Sequence, residues 1–174
     1  MHYSTIKKFD IADGLGVRVS IFVSGCTHHC KGCFNQVTWP FDYGDEYTLD
    51  VENEILEACN HDYIEGLTLL GGEPFEIVNQ KGLISLVRRF KQLYPNKNIW
   101  AYSGYLFDQE ILPSNGKAHC EVTDEILSYI DVLVDGEFKL ELKDISLKFR
   151  GSSNQRIIDV KKSLEKNEVI ILDL

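Results

Sequence analysis

Four short apolar segments of the chain each end in glycine or small polar residues, and this recurring pattern limits the possible fold more than any other feature. The segments are Gly16–Val23, Gly66–Leu70, Asn98–Tyr102 and Asp131–Val134. The residues that follow them are Ser24-Gly25, Gly71-Gly72, Ser103-Gly104 and Asp135-Gly136. Short apolar runs with such ends are typical of buried strands in a parallel sheet, where polar strand ends gather at one edge.

Amphipathic helices are predicted between these strands. Thr48 is expected to be the N-cap of a helix that runs to about Cys59, with acidic residues in its first turn. Apolar residues recur at helical spacing from Asn79 to Tyr94, and a brief helix is predicted to begin at Thr123. A last strand is expected over Val169–Leu172. Strands that alternate with helices indicate an α/β fold with a mostly parallel sheet and outer helices.

Length and composition restrict the class of protein. We expect a single domain over residues 1–174, because a chain of 174 residues has room for one core. The formal charge of −9 and the absence of a long lysine or arginine cluster argue against a nucleic-acid partner. The longest apolar stretch is far shorter than a membrane span, and the segment from His2 to Asp13 has no apolar signal-peptide core. A cytoplasmic location follows as an expectation, and with it cysteines that act as metal ligands rather than in disulfides.

Three cysteines, Cys26, Cys30 and Cys33, have the spacing C-x3-C-x2-C. Three thiolates in one short loop can bind three corners of an iron-sulfur cube, which leaves the fourth iron open to a substrate or cofactor. The alternative is a structural zinc site with His28 or His29 as the fourth ligand. A second cysteine pair is missing, and a histidine this close to Cys26 would strain a shared tetrahedron, so the spacing favours the cluster.

The cysteine spacing followed by Phe34, together with Gly71-Gly72-Glu73-Pro74, resembles the radical S-adenosylmethionine enzymes. The resemblance implies a partial, open (β/α) barrel, a [4Fe-4S] cluster and bound S-adenosyl-L-methionine. The implied cluster ligands are Cys26, Cys30 and Cys33. The implied contacts to the methionine part come from Gly71, Gly72 and Glu73, and those to the adenine from Gly32, Cys33 and Phe34. The cluster and the cofactor carry the radical chemistry, so no separate catalytic side chain is implied.

Two further polar residues, Ser103 and Asp135, follow strands and are candidates for contacts to the cofactor's carboxylate, its ribose or a bound cation. Ligands in parallel sheets gather at this end of the strands. Polar residues in such loops are also common in any α/β fold. A purely structural role therefore remains the alternative for both residues.

The order of motifs along the chain resembles the glycyl-radical-enzyme activases, and among them the family that acts on anaerobic ribonucleoside-triphosphate reductase. Besides the motifs above, the matching segments are Asp13–Val19, Trp100–Tyr105, Asp131–Phe138 and the more discriminating Phe149–Arg156. The resemblance implies hydrogen-atom removal from a glycine of the large reductase subunit, with reduced flavodoxin or a similar protein as electron donor. So short a chain leaves little wall for a small substrate, which fits a protein substrate.

Three other functions are compatible with the motifs. The chain could activate another glycyl radical enzyme, of the pyruvate formate-lyase type. It could be a small radical enzyme that acts on a free metabolite. It could also be an electron-transfer or metal-dependent interaction module, against which the open iron position and the Gly-Gly-Glu-Pro motif argue.

Overall fold

The computed structural model describes residues 1–174 and contains one open sheet of seven strands. The strands are β1 (His2–Asp10), β2 (Val17–Val23), β3 (Asp45–Glu46), β4 (Ile64–Gly71), β5 (Asn98–Ser103), β6 (Val132–Asp135) and β7 (Arg156–Asp159). Their order in the sheet is β3-β1-β2-β4-β5-β6-β7. The central strands β2, β4, β5 and β6 are parallel, as predicted, whereas β1, β3 and β7 are antiparallel to their neighbours.

Three of the four α-helices lie where the periodicity predicts them, whereas the last, near the C-terminus, was not predicted. They are α1 (Leu49–Ala58), α2 (Ile77–Leu93), α3 (Thr123–Tyr129) and α4 (Val160–Lys166). The predicted N-cap of α1 is confirmed, because the Thr48 hydroxyl accepts a hydrogen bond from the Val51 N–H. Helix α2 begins two residues before the predicted start at Asn79. None of the helices is long and apolar enough to cross a membrane.

The two faces of the sheet are covered differently. One face packs against α1, α2 and α3 and forms a core of 26 buried hydrophobic residues. The other face carries a small cluster of Trp100, Val132, Val134 and Ile157, against which Phe149 packs. The main core therefore lies on the helix side, and the second face is left for a cavity.

The edges of the sheet differ from the sequence prediction. The last strand was expected at Val169–Leu172, but the edge strand is β7, and Ile171 makes only an isolated bridge to Ile158. Strand β1 was not predicted, because most of its residues are exposed or half-buried and show no clean alternation. Edge strands bury less surface than central ones, so their apolar pattern is weaker.

The register brings the ends of the parallel strands to one edge of the sheet. Val23 pairs with Gly71, and Ser103 pairs with Asp135. The loops that follow these four strands therefore start side by side, as predicted.

Candidate functional site

A cavity of about 450 Å³ lies on the sheet face opposite the main helices, at the C-terminal ends of the parallel strands. Its wall contains every predicted site residue except Asp135. These wall residues are Cys26, Cys30, Gly32, Cys33, Phe34, Gly71, Gly72, Glu73 and Ser103. Segments that are distant in sequence thus meet around one space of a size typical for small-molecule sites.

The cysteine loop, defined here as residues 24–35, follows β2 and is held at its start by backbone hydrogen bonds. The Gly25 N–H donates to the Thr38 carbonyl at 2.7 Å, and the Cys26 N–H donates to the Trp39 carbonyl at 3.1 Å. Gly25 has φ +102°, and a Cβ there would lie 2.4 Å from the Phe41 ring. A glycine is therefore required where the chain turns from β2 into the loop.

The three thiols of the loop are free and differ in environment. Burial raises the pKa of Cys26 to about 12. Burial, and then the charge of Glu137, raise the pKa of Cys30. The Asn35 N–H donates to the Cys33 sulfur at 3.4 Å. The half-buried thiols of Cys26 and Cys30 therefore keep their protons until a metal displaces them, as metal-binding thiols do.

The donor set fits an iron-sulfur cluster, because three cysteines line one wall of the cavity. The side chains of histidine, cysteine, aspartate and glutamate do not converge in threes on one metal position. A cubane cluster does not need such convergence, since each thiolate binds a different iron.

The glycine pair Gly71-Gly72 brings the end of β4 against the cysteine loop. A Cβ on Gly71 would lie 2.5 Å from the Val23 nitrogen, and one on Gly72 would lie 2.6 Å from the Gly25 oxygen. The Gly72 N–H donates to the Val23 carbonyl at 2.7 Å, and the Glu73 N–H donates to the Gly25 carbonyl at 2.8 Å. Close packing between two backbone segments therefore explains why both residues are glycine.

The Glu73 carboxylate is 1% exposed and accepts four hydrogen bonds. One oxygen accepts from the Phe75 N–H and the Ser103 hydroxyl, both at 2.8 Å. The other accepts from the Gly104 N–H at 2.7 Å and lies 2.8 Å from His28 Nε2. Ser103, predicted as a cofactor contact, is thus a hydrogen-bond partner of Glu73.

Polar residues in and just before the first turn of α2 also hold the cysteine loop, although the sequence did not indicate such a role for them. Glu76 accepts from the Thr27 N–H at 2.9 Å and from its hydroxyl at 2.6 Å. The buried Asn79 side chain donates to the Ser24 carbonyl at 3.0 Å and to the Glu73 carbonyl at 2.9 Å. The signal that could have found them is their spacing of three and six residues from Glu73, which favours one face of a helical turn.

Asp135 lies outside the cavity wall, and its carboxylate is fully buried. It accepts from Arg156 at 2.6 and 2.9 Å and from the Phe107 N–H at 2.7 Å. Arg156 also binds Asp108. Its place in the structure is that of an anchor between β6, β7 and the turn after β5, and its predicted contact to a cofactor remains a prediction.

A long loop between β6 and β7 forms the outer wall of the cavity. Four of its apolar residues line the cavity: Phe138, Ile145, Leu147 and Phe149. Gln155 closes the end of the loop, since its Oε1 accepts from the Gly151 and Ser152 N–H groups and its Nε2 donates to the Gly136 carbonyl. The segment Phe149–Arg156 therefore fixes the base of this wall.

One carboxyl group of the cavity wall has a buried carboxyl neighbour, Asp10. Asp13 lines the cavity. Burial and the neighbouring Asp10 raise the pKa of Asp13 to about 7. Burial alone would raise the pKa of Asp10. The pKa is nevertheless lowered, because the carboxylate accepts hydrogen bonds from Asp13, Ser20 and the Ala12 N–H. The two carboxyl groups share one proton near neutral pH.

Comparison with known proteins identifies the family. The model of the 4Fe-4S single cluster domain matches residues 12–158. The anaerobic ribonucleoside-triphosphate reductase-activating protein of Vibrio cholerae is 40% identical over 159 residues, which are 90% of this chain and 97% of that protein. The protein of the same name from Escherichia coli K12 is 40% identical over 89% of this chain and 96% of that protein. The one from Enterobacteria phage T4 is 36% identical over 90% of this chain and 93% of that protein.

The matched residues include the cysteine loop, the glycine pair at the end of β4 and the strands that carry the cavity. By its sequence, the chain belongs to the family of the anaerobic ribonucleoside-triphosphate reductase-activating proteins, with a 4Fe-4S single cluster domain.

Proposed function

We propose that this chain activates anaerobic ribonucleoside-triphosphate reductase and does so as a radical S-adenosylmethionine enzyme. In this proposal the open sheet is a partial (β/α) barrel of the type that those enzymes have. The cluster and S-adenosylmethionine, when bound, supply a radical that removes a hydrogen atom from a glycine of the large reductase subunit. The observation that carries the proposal is the meeting of the three thiols with Gly71-Gly72-Glu73 around one cavity.

The residues of the chain hold and orient the bound groups. Cys26, Cys30 and Cys33 are the proposed cluster ligands. The end of β4 lies directly against their loop, because the Glu73 N–H binds the Gly25 carbonyl. Its position fits a role in holding the methionine part of the cofactor. The Glu73 carboxylate already accepts four hydrogen bonds, so an ammonium group would have to share or replace one of them.

Gly32, Cys33 and Phe34 border the cavity on the side of the cysteine loop, where we place the adenine. The Phe34 side chain is 90% exposed at the rim, and a bound nucleoside would cover part of it. The cavity is small, so a nucleoside-sized cofactor leaves little space for a second small molecule. This supports a substrate that reaches the site from another protein.

The proposal is tested with anaerobically reconstituted protein, reduced by flavodoxin or a chemical reductant. We expect 5'-deoxyadenosine from S-adenosylmethionine, and a glycyl radical signal in electron paramagnetic resonance when the large reductase subunit is added. Pyruvate formate-lyase serves as the control partner and should give no signal. A protein that binds one zinc ion and yields no deoxyadenosine would refute the proposal.

A further inference from the structure

His28 lies between two carboxylates inside the cysteine loop. Its side chain is only 5% exposed. Nε2 is 2.8 Å from an oxygen of Glu73, and Nδ1 is 3.2 Å from an oxygen of Glu137. Each ring nitrogen is therefore within hydrogen-bond distance of a different carboxylate oxygen.

The His28 ring has little freedom to move. It packs edge-on against Tyr105, with ring centroids 4.3 Å apart. A Cβ on Gly104 would lie 2.7 Å from the ring, so the backbone at the end of β5 passes directly beside it. A side chain confined in this way holds its hydrogen-bond partners in one geometry.

The contacts of His28 join three separate walls of the cavity. His28 itself belongs to the cysteine loop, between Cys26 and Cys30. Glu73 follows β4, and its second oxygen also accepts from the Gly104 N–H at the end of β5. Glu137 begins the long loop between β6 and β7, which forms the outer wall.

We propose that His28 is a positioning residue of the cluster site: it fixes the loop that carries Cys26 and Cys30 relative to Glu73 and relative to the outer wall. This inference rests on the proposed function, because it assumes that the cysteines hold the cluster. Without His28, Glu73 keeps three donors and the cysteine loop loses its link to Glu137. The other links between this loop and the segment from β4 to α2 all lie before His28, so the part of the loop that carries Cys30 would lose its nearest support.

The adjacent histidine offers a matched control. His29 lies in the same loop, is exposed and stacks on Trp39 with ring centroids 4.3 Å apart. Its φ of 51° is in the left-handed region, which asparagine tolerates. His29→Asn therefore removes a histidine between the same two cysteines without affecting Glu73 or Glu137.

The experiment compares His28→Leu, His28→Gln and His29→Asn in the full, reconstituted chain. Three quantities are measured: iron per chain, equilibrium binding of S-adenosylmethionine, and the change it causes in the electron paramagnetic resonance spectrum of the reduced cluster. We expect His28→Leu to bind S-adenosylmethionine about tenfold or more weakly, with an altered spectral change, because a charge-assisted hydrogen bond is lost. His28→Gln keeps one donor and should recover part of the affinity, while His29→Asn should stay within about twofold of wild type.

The outcomes separate this inference from the proposed function. A wild-type protein without cluster or cofactor binding would overturn the proposed function. A wild-type protein that binds both, with His28→Leu equal to it in affinity and spectrum, would overturn the role of His28 alone. Should His28→Leu fail to fold, Glu137→Ala tests the same link at a half-exposed partner. Faster hydrogen exchange in residues 26–33 of that variant supports the inference, and unchanged exchange and affinity refute it.

Discussion

At the scale of single residues, Gly72 is predicted to be intolerant of even one additional carbon. Gly72→Ala places a Cβ about 2.6 Å from the Gly25 oxygen, where backbone rather than a movable side chain is in the way. We expect a loss of about 1–3 kcal/mol in the free energy of unfolding, the usual effect of overpacking, measured by urea denaturation.

Gly82→Ala is the control for this prediction. At Gly82 the added Cβ would meet side-chain atoms of the N-terminal Met1 rather than backbone, and the residue lies within α2. Since Met1 can shift and alanine favours a helix over glycine by up to about 1 kcal/mol, this variant should lose less stability than Gly72→Ala. Equal losses in both variants would contradict the steric explanation for Gly72.

The sequence identified the chemical groups of the site but not their neighbours. The cysteines and the glycine pair were found from spacing, because loop-borne thiolates and strand-end glycines carry local signals. The contacts of His28 and Asn79 depend on which loops meet in the folded chain. Such long-range contacts leave no mark in the local sequence, so these two residues were assigned only from the structure.

The free energy of unfolding is expected to fall as the pH rises, because of the Asp13 carboxyl group. In the unfolded chain an aspartate has a pKa of about 4. In the folded protein, burial and Asp10 raise the pKa of Asp13 to about 7. Between these values the folded protein binds the extra proton, so the free energy of unfolding decreases with increasing pH. The slope stays below the limit of about 1.4 kcal/mol per pH unit for one proton, because Asp13 is only partly buried and solvent screens its interactions.

Asp13→Asn removes the titrating group. Urea denaturation at pH 5 and pH 7.5 should therefore show a smaller loss of stability for this variant than for wild type. The exposed Asp62 gives a suitable comparison, since Asp62→Asn should leave the wild-type pH dependence unchanged. Identical pH dependence in wild type and Asp13→Asn would contradict the assignment.

At the scale of elements, central strands and long helices were predicted well, and edge elements were not. Strands β4, β5 and β6 are short apolar runs because they are buried inside the sheet, and α2 shows its amphipathic period over 17 residues. Strands β1 and β7 lie near the edges, where exposed residues obscure the pattern. Their pairing is decided by neighbours that are distant in sequence, so local periodicity does not reveal it.

The start of α2 acts as a fixed support for the cysteine loop. The Asn79 amide donates to the carbonyls of Ser24 and Glu73, while its own oxygen has no partner. Asn79→Leu keeps a similar volume and removes both donors. We expect a loss of about 1–3 kcal/mol in the free energy of unfolding, because buried carbonyl groups lose their partner. The exposed Asn60, changed to leucine, should alter stability by less than about 0.5 kcal/mol.

A functional measurement on Asn79→Leu distinguishes a role in positioning the cysteine loop from a role in stabilising the whole chain. At a temperature where the variant is fully folded, iron content after reconstitution should still be lower than in wild type, because Ser24 leads directly into the cysteine loop. Full iron loading in the folded variant would show that this helix stabilises the chain without positioning the loop.

At the scale of the whole molecule, folding and cluster binding are separable. The main core of 26 buried residues lies on the helix side of the sheet, and none of Cys26, Cys30 and Cys33 belongs to it. Small zinc domains lack such a core and unfold without their metal. This chain differs from them, because apolar packing between the sheet and the helices stabilises the fold on one face while the site occupies the other.

Cys30→Ala tests this separation. The variant should lose the cluster and, with it, cleavage of S-adenosylmethionine, while its far-ultraviolet circular dichroism matches that of metal-free wild type. Its melting temperature should lie within about 2 °C of the metal-free protein, because Cys30 is half-exposed and outside the core. Cys120→Ala removes a thiol outside the cavity and should keep both iron and activity. Unfolding of metal-free wild type would show that the cluster is part of the fold, whereas full turnover by Cys30→Ala would remove that thiol from the set of ligands.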